Sequence, residues 1–348
     1  MLDINILKNK IKVLIVDDSA LVRKILSTEL STDSEIEVVG TAPDAFIARD
    51  KIVKLMPDVL LLDIEMPRMD GLTFLEKLMT HHPMPVIIVS SLVKDNGNLA
   101  LKALQLGAAE VISKPGSAYS VGDMGEQLRQ KVKAAYYSKK PVNSEPASKV
   151  AFQASKSVMA NKIIAFGAST GGTEALQRIL LTFPPDMPPI LVVQHMPQYF
   201  TKTMADHLDK ICNLNIKEAE HGDIAKPGTV LIAPGNKHMV LKKNSDSYYV
   251  EIKDGELVHH QRPSIEVMFH SVARCAGANS IGVILTGMGK DGATGLLEMK
   301  KQGAFTIGQD ENSSVVYGMP KEAFDIGALS KVASIEQIPS IIMEALVD

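Results

Sequence analysis

Two groups of residues in this chain have types and spacings that could do chemistry. The first lies in AFGASTGG, residues 165–172, where Ser169 sits between glycines directly after an apolar run. A Gly-x-Ser-x-Gly turn from strand to helix can push a hydroxyl into the open, where it attacks a carbonyl. Alone, the pattern is weak. A glycine-rich turn also cradles phosphate or serves only as a turn, although the dinucleotide fingerprint is not met here. A serine hydroxyl becomes a nucleophile only beside an oriented base. His195 follows the run ILVVQ, and Asp291 lies in GMGKDGA after IGVIL, so both are expected at strand ends with Ser169. The order Ser, His, Asp differs from the Ser, Asp, His of α/β-hydrolases and disfavours that family. His238, in PGNKHM, is the rival base, and helix capping is the alternative role for Asp291. Lys290, next to Asp291, is given no role.

The second group is acidic. Asp17 with Asp18, Asp63, Ser90 and Lys114 fall at the ends of four apolar runs. Each alone reads as a cap or turn residue. Together, three carboxylates at one sheet edge would repel one another, and a hard divalent cation relieves that. Mg²⁺ accepts two or three protein oxygens and keeps its remaining waters. An aspartate beside Mg²⁺ and a lysine can accept a phosphoryl group, because both cations neutralise the developing charge.

The elements that must position these groups alternate. Short apolar runs at 12–16, 36–39, 59–62, 85–89 and 110–113 are separated by amphipathic stretches such as 20–30 and 72–80. Continuous apolar strands alternating with helices indicate a doubly wound parallel sheet. Ligands bind such sheets outside the carboxyl ends of the strands, where both groups fall. The rhythm resumes after residue 162 with strands at 163–166, 189–193 and 281–285 and helices at 173–181 and 264–275. Frequent turns and alternation between 216 and 258 suggest an antiparallel elaboration.

Residues 131–162 carry seven lysines against one glutamate and are rich in Ser, Ala and Pro, as expected of a solvated linker. Domains are therefore expected at 1–130 and 161–348, with a linker over 131–160; a length of 348 residues suits two. The chain is 45% hydrophobic and 22% charged, with net charge −3, so bulk electrostatics give no reason to expect nucleic-acid binding. Cys212 and Cys275 fall in amphipathic stretches without metal spacing and read as buried thiols of a reducing compartment. No signal-peptide pattern opens the chain, and no apolar run reaches the roughly 20 residues that span a bilayer, so a cytoplasmic protein without membrane insertion is expected.

Over about residues 11–130 the motifs LIVDDSALVRKIL, LLLDIEMPRMDGL, VIIVSS and VISKPG resemble the receiver domain of two-component response regulators. The resemblance implies a flavodoxin-like fold, Asp63 as phosphoacceptor, and Mg²⁺ held by Asp17, Asp18, Asp63 and the Glu65 backbone carbonyl. It also implies phosphoryl contacts from Ser90 and Lys114. Val111 stands where many receivers carry an aromatic switch residue, which puts rotation of a ring in doubt here.

GASTGGTEAL, VVQHMP, APGNKHM, RPSIEVMFHSVA and LTGMGKDGA extend the resemblance to the chemotaxis protein-glutamate methylesterase family, over almost the entire chain. That family implies a Rossmann-like esterase domain with Ser169, His195 and Asp291 as catalytic triad. Thr170 and Met288 would flank the site, and amides near Met288 would help form an oxyanion hole. Also implied are a phosphorylation-activated esterase that demethylates glutamyl methyl esters and deamidates glutamines, with no cofactor for hydrolysis. Its partners would be methyl-accepting chemoreceptors as substrate and a chemotaxis histidine kinase as phosphodonor. The unphosphorylated receiver would cover the esterase site. Two rival readings are a regulator with a DNA-binding output and a degenerate esterase acting as scaffold. Against the first, no basic helix-turn-helix unit is found; against the second, the triad is intact.

Overall fold

Apolar runs that do not alternate become strands covered on both faces. A computed structural model describes residues 10–91, 96–114, 121–138, 162–245 and 247–347, in two compact units divided after Ser138.

The first unit runs β1 (Ile11–Val16), α1 (Ala20–Ser31), β2 (Ile36–Ala42), α2 (Ala45–Leu55), β3 (Val59–Asp63), α3 (Gly71–His81), β4 (Val86–Ser90), α4 (Asn96–Gln105), β5 (Glu110–Ser113) and α5 (Val121–Tyr137). Its strands pair in parallel in the order β2-β1-β3-β4-β5, the flavodoxin-like arrangement. Every residue of β3 and β4 is buried. Val13, Ile15, Leu61 and Ile87 of the sheet pack with Leu26 of α1 and Leu128 of α5. Side chains of Ser19, Asp44 and Asp70 accept amides of the first turns of α1, α2 and α3, which fixes where each helix begins.

The expected linker begins later than its composition suggests. α5 continues to Tyr137, with Val132 and Ala135 in the core and Lys131 Nζ 3.0 Å from the Glu110 carboxylate. Lysines at 131 and 133 read as solvated charge in the sequence, but both find acidic partners on neighbouring elements. Residues 139–161, which include the rest of the expected linker, lie outside the described residues, as does Pro115.

The second unit runs β6 (Ile163–Ala168), α6 (Gly172–Leu180), β7 (Ile190–Gln194), α7 (Phe200–Ile211), β8 (Asn215–Glu218), β9 (Thr229–Ile232), β10 (His238–Lys243), β11 (Tyr248–Lys253), α8 (Ile265–Ala276), β12 (Ser280–Ile284), α9 (Ala293–Lys301), β13 (Phe305–Gln309), α10 (Met319–Asp325), β14 (Lys331–Ala333) and α11 (Ile338–Val347). Seven parallel strands take the order β14-β13-β12-β6-β7-β9-β8. From β6 the chain builds one wing through β7, β8 and β9, then returns to β12 on the other side. The order reverses beside β6, which is the topological switch point.

The antiparallel expectation for 216–258 holds for the pair β10 and β11 and for isolated bridges of Ile224 to Tyr249 and Val258 to Gln261. β8 and β9 join the main sheet in parallel, with Ile190 opposite Val230. The reason is visible in β9, whose Val-Leu-Ile run is buried without alternation, the mark of a strand covered on both faces. Cys275 lies in α8 as expected, whereas Cys212 directly follows α7; both thiols are only partly buried. No helix of the described residues is long and apolar enough to cross a membrane.

Candidate active site

Three strand ends meet at the switch point of the second unit. Strand pairing continues one step past β6: Ser169 N–H donates to Thr286 O at 3.0 Å on one side, and His195 N–H to Ala168 O at 3.0 Å on the other. Ser169 thus stands between the loop after β12, which carries Asp291, and the end of β7, which carries His195. The turn from Ser169 to α6 takes three residues. Gly171 adopts φ +80°, where a side chain is strained and its Cβ would lie 2.6 Å from Val315. The Ser169 carbonyl is tied down by Gly172 N–H at 2.7 Å and Gln194 Nε2 at 2.9 Å.

His195 and Asp291 are joined directly, with Nε2 2.7 Å from Oδ2 and both residues buried. An ionised carboxylate accepts, so the ring proton sits on Nε2 and the lone pair on Nδ1. That Nδ1 is buried and has no hydrogen-bond partner. Asp291 accepts three further bonds: Oδ1 from Ser264 Oγ at 2.7 Å and Glu266 N–H at 3.1 Å, Oδ2 from Ile265 N–H at 2.7 Å. Burial alone would lift this carboxyl; His195, Ser264 and the Ile265 amide outweigh it and hold Asp291 below its ordinary value. The start of α8 also lends its partial positive charge.

Thr170 is buried, and its carbonyl accepts from Thr286 Oγ1 at 3.0 Å. Met288 lies in a loop fastened to the segment before α10: Gly287 N–H donates to Val316 O, and Gly287 O accepts from Gly318 and Met319 N–H. Lys290 is exposed. His238 does not reach the serine side of the triad. Its ring accepts the Ser264 N–H on Nδ1 at 3.2 Å and lies 2.9 Å from Glu256 O through Nε2, which fixes a neutral Nε2–H imidazole. Burial pushes this ring below its ordinary value.

Sequence reasoning passed over Ser264, Glu266 and Gln194. Ser264 had a signal, a capping serine ahead of an apolar helical run. Glu266 is buried inside that run. It holds Gly292 N–H at 3.0 Å, the Thr294 hydroxyl and His270, so α8 and the start of α9 brace each other. Ligand atoms of His259, Glu266 and Asp291 lie within 4.8 Å of one another. Both carboxylates there are already occupied by internal donors, and the cluster reads as a hydrogen-bonded brace rather than a metal site.

In the first unit, carboxylate oxygens of Asp17, Asp18 and Asp63 lie within 4.8 Å of one another. Lys114 Nζ is 2.7 Å from Asp63 and 3.1 Å from Asp17. Asp63 Oδ1 also accepts Glu65 N–H at 3.2 Å. Burial, opposed by Lys114 and reinforced by Asp17, pushes the Asp63 carboxyl up to about 6. One lysine does not satisfy three acids, and a hard cation fits this all-oxygen donor set. Ser90 is buried at the end of β4, while Ser91 Oγ donates to Glu65 at 2.9 Å. Val111 is buried in β5.

Known proteins resemble this chain in sequence and fold. Residues 164–342 match the CheB methylesterase family, and residues 13–122 the response regulator receiver domain. A protein-glutamate methylesterase/protein-glutamine glutaminase 2 of Syntrophus aciditrophicus is 58% identical, over 95% of this chain and 97% of its own. The protein-glutamate methylesterase/protein-glutamine glutaminase of Salmonella typhi is 47% identical over 95% of each chain. The crystal structure of the Thermotoga maritima CheB methylesterase catalytic domain superposes with TM-score 0.52 at 39% identity, covering 53% of this chain and 98% of that one. With sheet topology, strand-end chemistry and sequence in agreement, this chain belongs to the CheB methylesterase family, in the form that carries a receiver domain ahead of the catalytic domain.

Proposed function

We propose that Ser169, His195 and Asp291 form the triad by which this chain hydrolyses glutamyl methyl esters, and glutamine amides, of methyl-accepting chemoreceptors. The buried His195–Asp291 contact with Nδ1 left free carries the reading, because it presents a base on the side of the ring away from the aspartate. Ser169 Oγ attacks the ester carbonyl as His195 Nδ1 takes its proton. The tetrahedral intermediate collapses, the proton passes to the leaving methoxide, and methanol departs from a seryl ester. Water then attacks that ester with the same base, freeing the glutamate and Ser169. A glutamine substrate follows the same path with ammonia as the leaving group. Amides beside Thr170 and Met288, with the start of α6, supply partial positive charge for the oxyanion.

The receiver unit supplies regulation. Asp63 accepts the phosphoryl group from a chemotaxis histidine kinase. Asp17, Asp18, Asp63 and the Glu65 carbonyl would hold Mg²⁺, which neutralises charge on the phosphoryl oxygens when bound. Ser90 and Lys114 meet the new phosphate oxygens, and Lys114 trades its carboxylate partner for them. Domain limits near 1–138 and 162–348, joined by the basic segment between, accord with this division of labour.

Methanol release from methylated receptor membranes tests the triad. Ser169→Ala is expected to lose several orders of magnitude in kcat while folding normally. Near-normal release by a folded Ser169→Ala protein would discard the assignment.

A further inference from the structure

Only one of the four hydrogen bonds on Asp291 comes from His195. Of the rest, two are amides locked by α8, and the Ser264 hydroxyl is the single side-chain donor. That hydroxyl sits 2.7 Å from Asp291 Oδ1 but 3.4 Å from Val267 N–H, the amide a helix-capping serine would serve. The hydroxyl caps α8 as acceptor and at the same time donates its proton to the carboxylate, so capping alone does not account for its placement.

Ser264 is itself held. Its backbone N–H is buried, and His238 Nδ1 is the acceptor that it meets. The same ring is fixed at its other end by the Glu256 carbonyl. A continuous line therefore runs from Glu256 O through His238, Ser264 and Asp291 to His195. It starts in the segment after β11, passes through His238 at the start of β10, and ends beside β7 in the main sheet.

We propose that Ser264 and His238 are positioning residues for ester hydrolysis, a role that rests on the triad reading above. Ser264 stops the Asp291 carboxylate from rotating about its Cβ–Cγ bond, so that Oδ2 stays on His195 Nε2 while Nδ1 faces the serine. His238 keeps Ser264 in place by giving its buried amide an acceptor. The antiparallel pair then has a function: it carries the ring that buttresses the triad from outside the parallel sheet.

Steady-state methanol release by the full chain on methylated receptor membranes tests this. Ser264→Ala is expected to lower kcat by about 10–100-fold, the range typical of partners that orient an active group, with KM within about twofold of wild type. Ser264→Thr, which keeps the hydroxyl, restores most of the loss. His238→Asn can still present an oxygen near the Nδ1 position, whereas His238→Gln cannot, so Asn retains more kcat than Gln. In an Asp291→Asn background, Ser264→Ala costs less than about twofold further, because its effect passes through Asp291. Equal fold-losses in both backgrounds would mean that Ser264 serves only the helix, and the proposal fails. It fails equally if Ser264→Ala stays within twofold of wild type. Should Ser264→Ala not fold, Ser264→Cys, similar in size but a weak donor, is expected to lose kcat in the same direction; full kcat there also overturns the proposal. Ser169→Ala run alongside separates the two readings. Activity in that variant removes the triad, whereas an inactive Ser169→Ala with an unaffected Ser264→Ala removes only the positioning role.

Discussion

Asp63 and Asp291 are both buried aspartates that follow apolar parallel strands, yet their environments push their carboxyls in opposite directions. Asp63 faces two other acids and one lysine, and it is pushed up to about 6. Asp291 faces a histidine, a hydroxyl and two helix amides, and it is held below its ordinary value. Burial raises both; the count of donors decides the sign. The under-satisfied carboxylate is suited to take on a cation and a phosphoryl group. The saturated one is suited to stay ionised and still, which is what orienting a base demands.

Breaking each carboxylate should therefore damage different quantities. The largest effect is expected for Asp291→Asn, which loses about 10⁴-fold in kcat because the ring near it can no longer be held in the right tautomer. Retention of more than a tenth of wild-type kcat would place the orienting role elsewhere. Asp63→Asn and Lys114→Met should leave the basal rate near wild type and abolish its stimulation by a small phosphodonor with Mg²⁺. Stimulation of either variant equal to wild type would remove its residue from the phosphoacceptor site.

Acid should also separate the two units. Asp63 ionises less readily folded than unfolded, where the ordinary value is 3.8. Its contribution to stability is full below about pH 4 and is lost as pH rises through about 6. For Asp291 the sign reverses: its contribution is present above about pH 4 and lost as pH falls through its lowered folded value. Amide exchange in β3 of the metal-free protein should therefore speed up between pH 4 and 6 relative to β12, after correction for the intrinsic rate. Millimolar Mg²⁺ should cancel the difference by favouring the ionised cluster; no change with Mg²⁺ would argue against metal binding there. The smallest effect is reserved for a lysine control. Lys290→Met, at an exposed position beside Asp291, should stay within about twofold of wild type, unlike Lys114→Met in the stimulation assay.

Much of this contrast was legible in the sequence, because parallel α/β sheets put function at strand ends and strand ends can be read. Asp17, Asp63, Ser90 and Lys114 were expected at or just past strand ends and lie there, as do Ser169 and His195, with Asp291 in the loop after β12. The hydrogen-bond network behind Asp291 did not. Ser264 carries no more than a capping signal in the sequence, and Glu266 none, until α8 is seen to face the loop after β12. His238 looked like a rival base because residue type alone does not say which atoms a ring presents. β8 and β9 were misread for a related reason: turn-rich sequence hid that β9 is buried on both faces. The start of the linker was obscured by lysines whose partners lie on distant segments.

The backbone clasp between Gly287 and Gly318 constrains how this site can diversify. A Cβ at 318 would stand 2.7 Å from the Gly287 carbonyl oxygen, and one at 287 would stand 2.6 Å from the Ser169 Cβ. These positions are closed to any side chain, so the immediate surroundings of the serine cannot be retuned by substitution there. Variation in substrate preference must then enter through partly exposed side chains on the segments that carry the triad, such as Met288, shortly before Asp291, and Gln198 and Tyr199, shortly after His195. A library built to redirect the enzyme toward other protein esters would be richest in active members at those three positions and nearly barren at the two glycines.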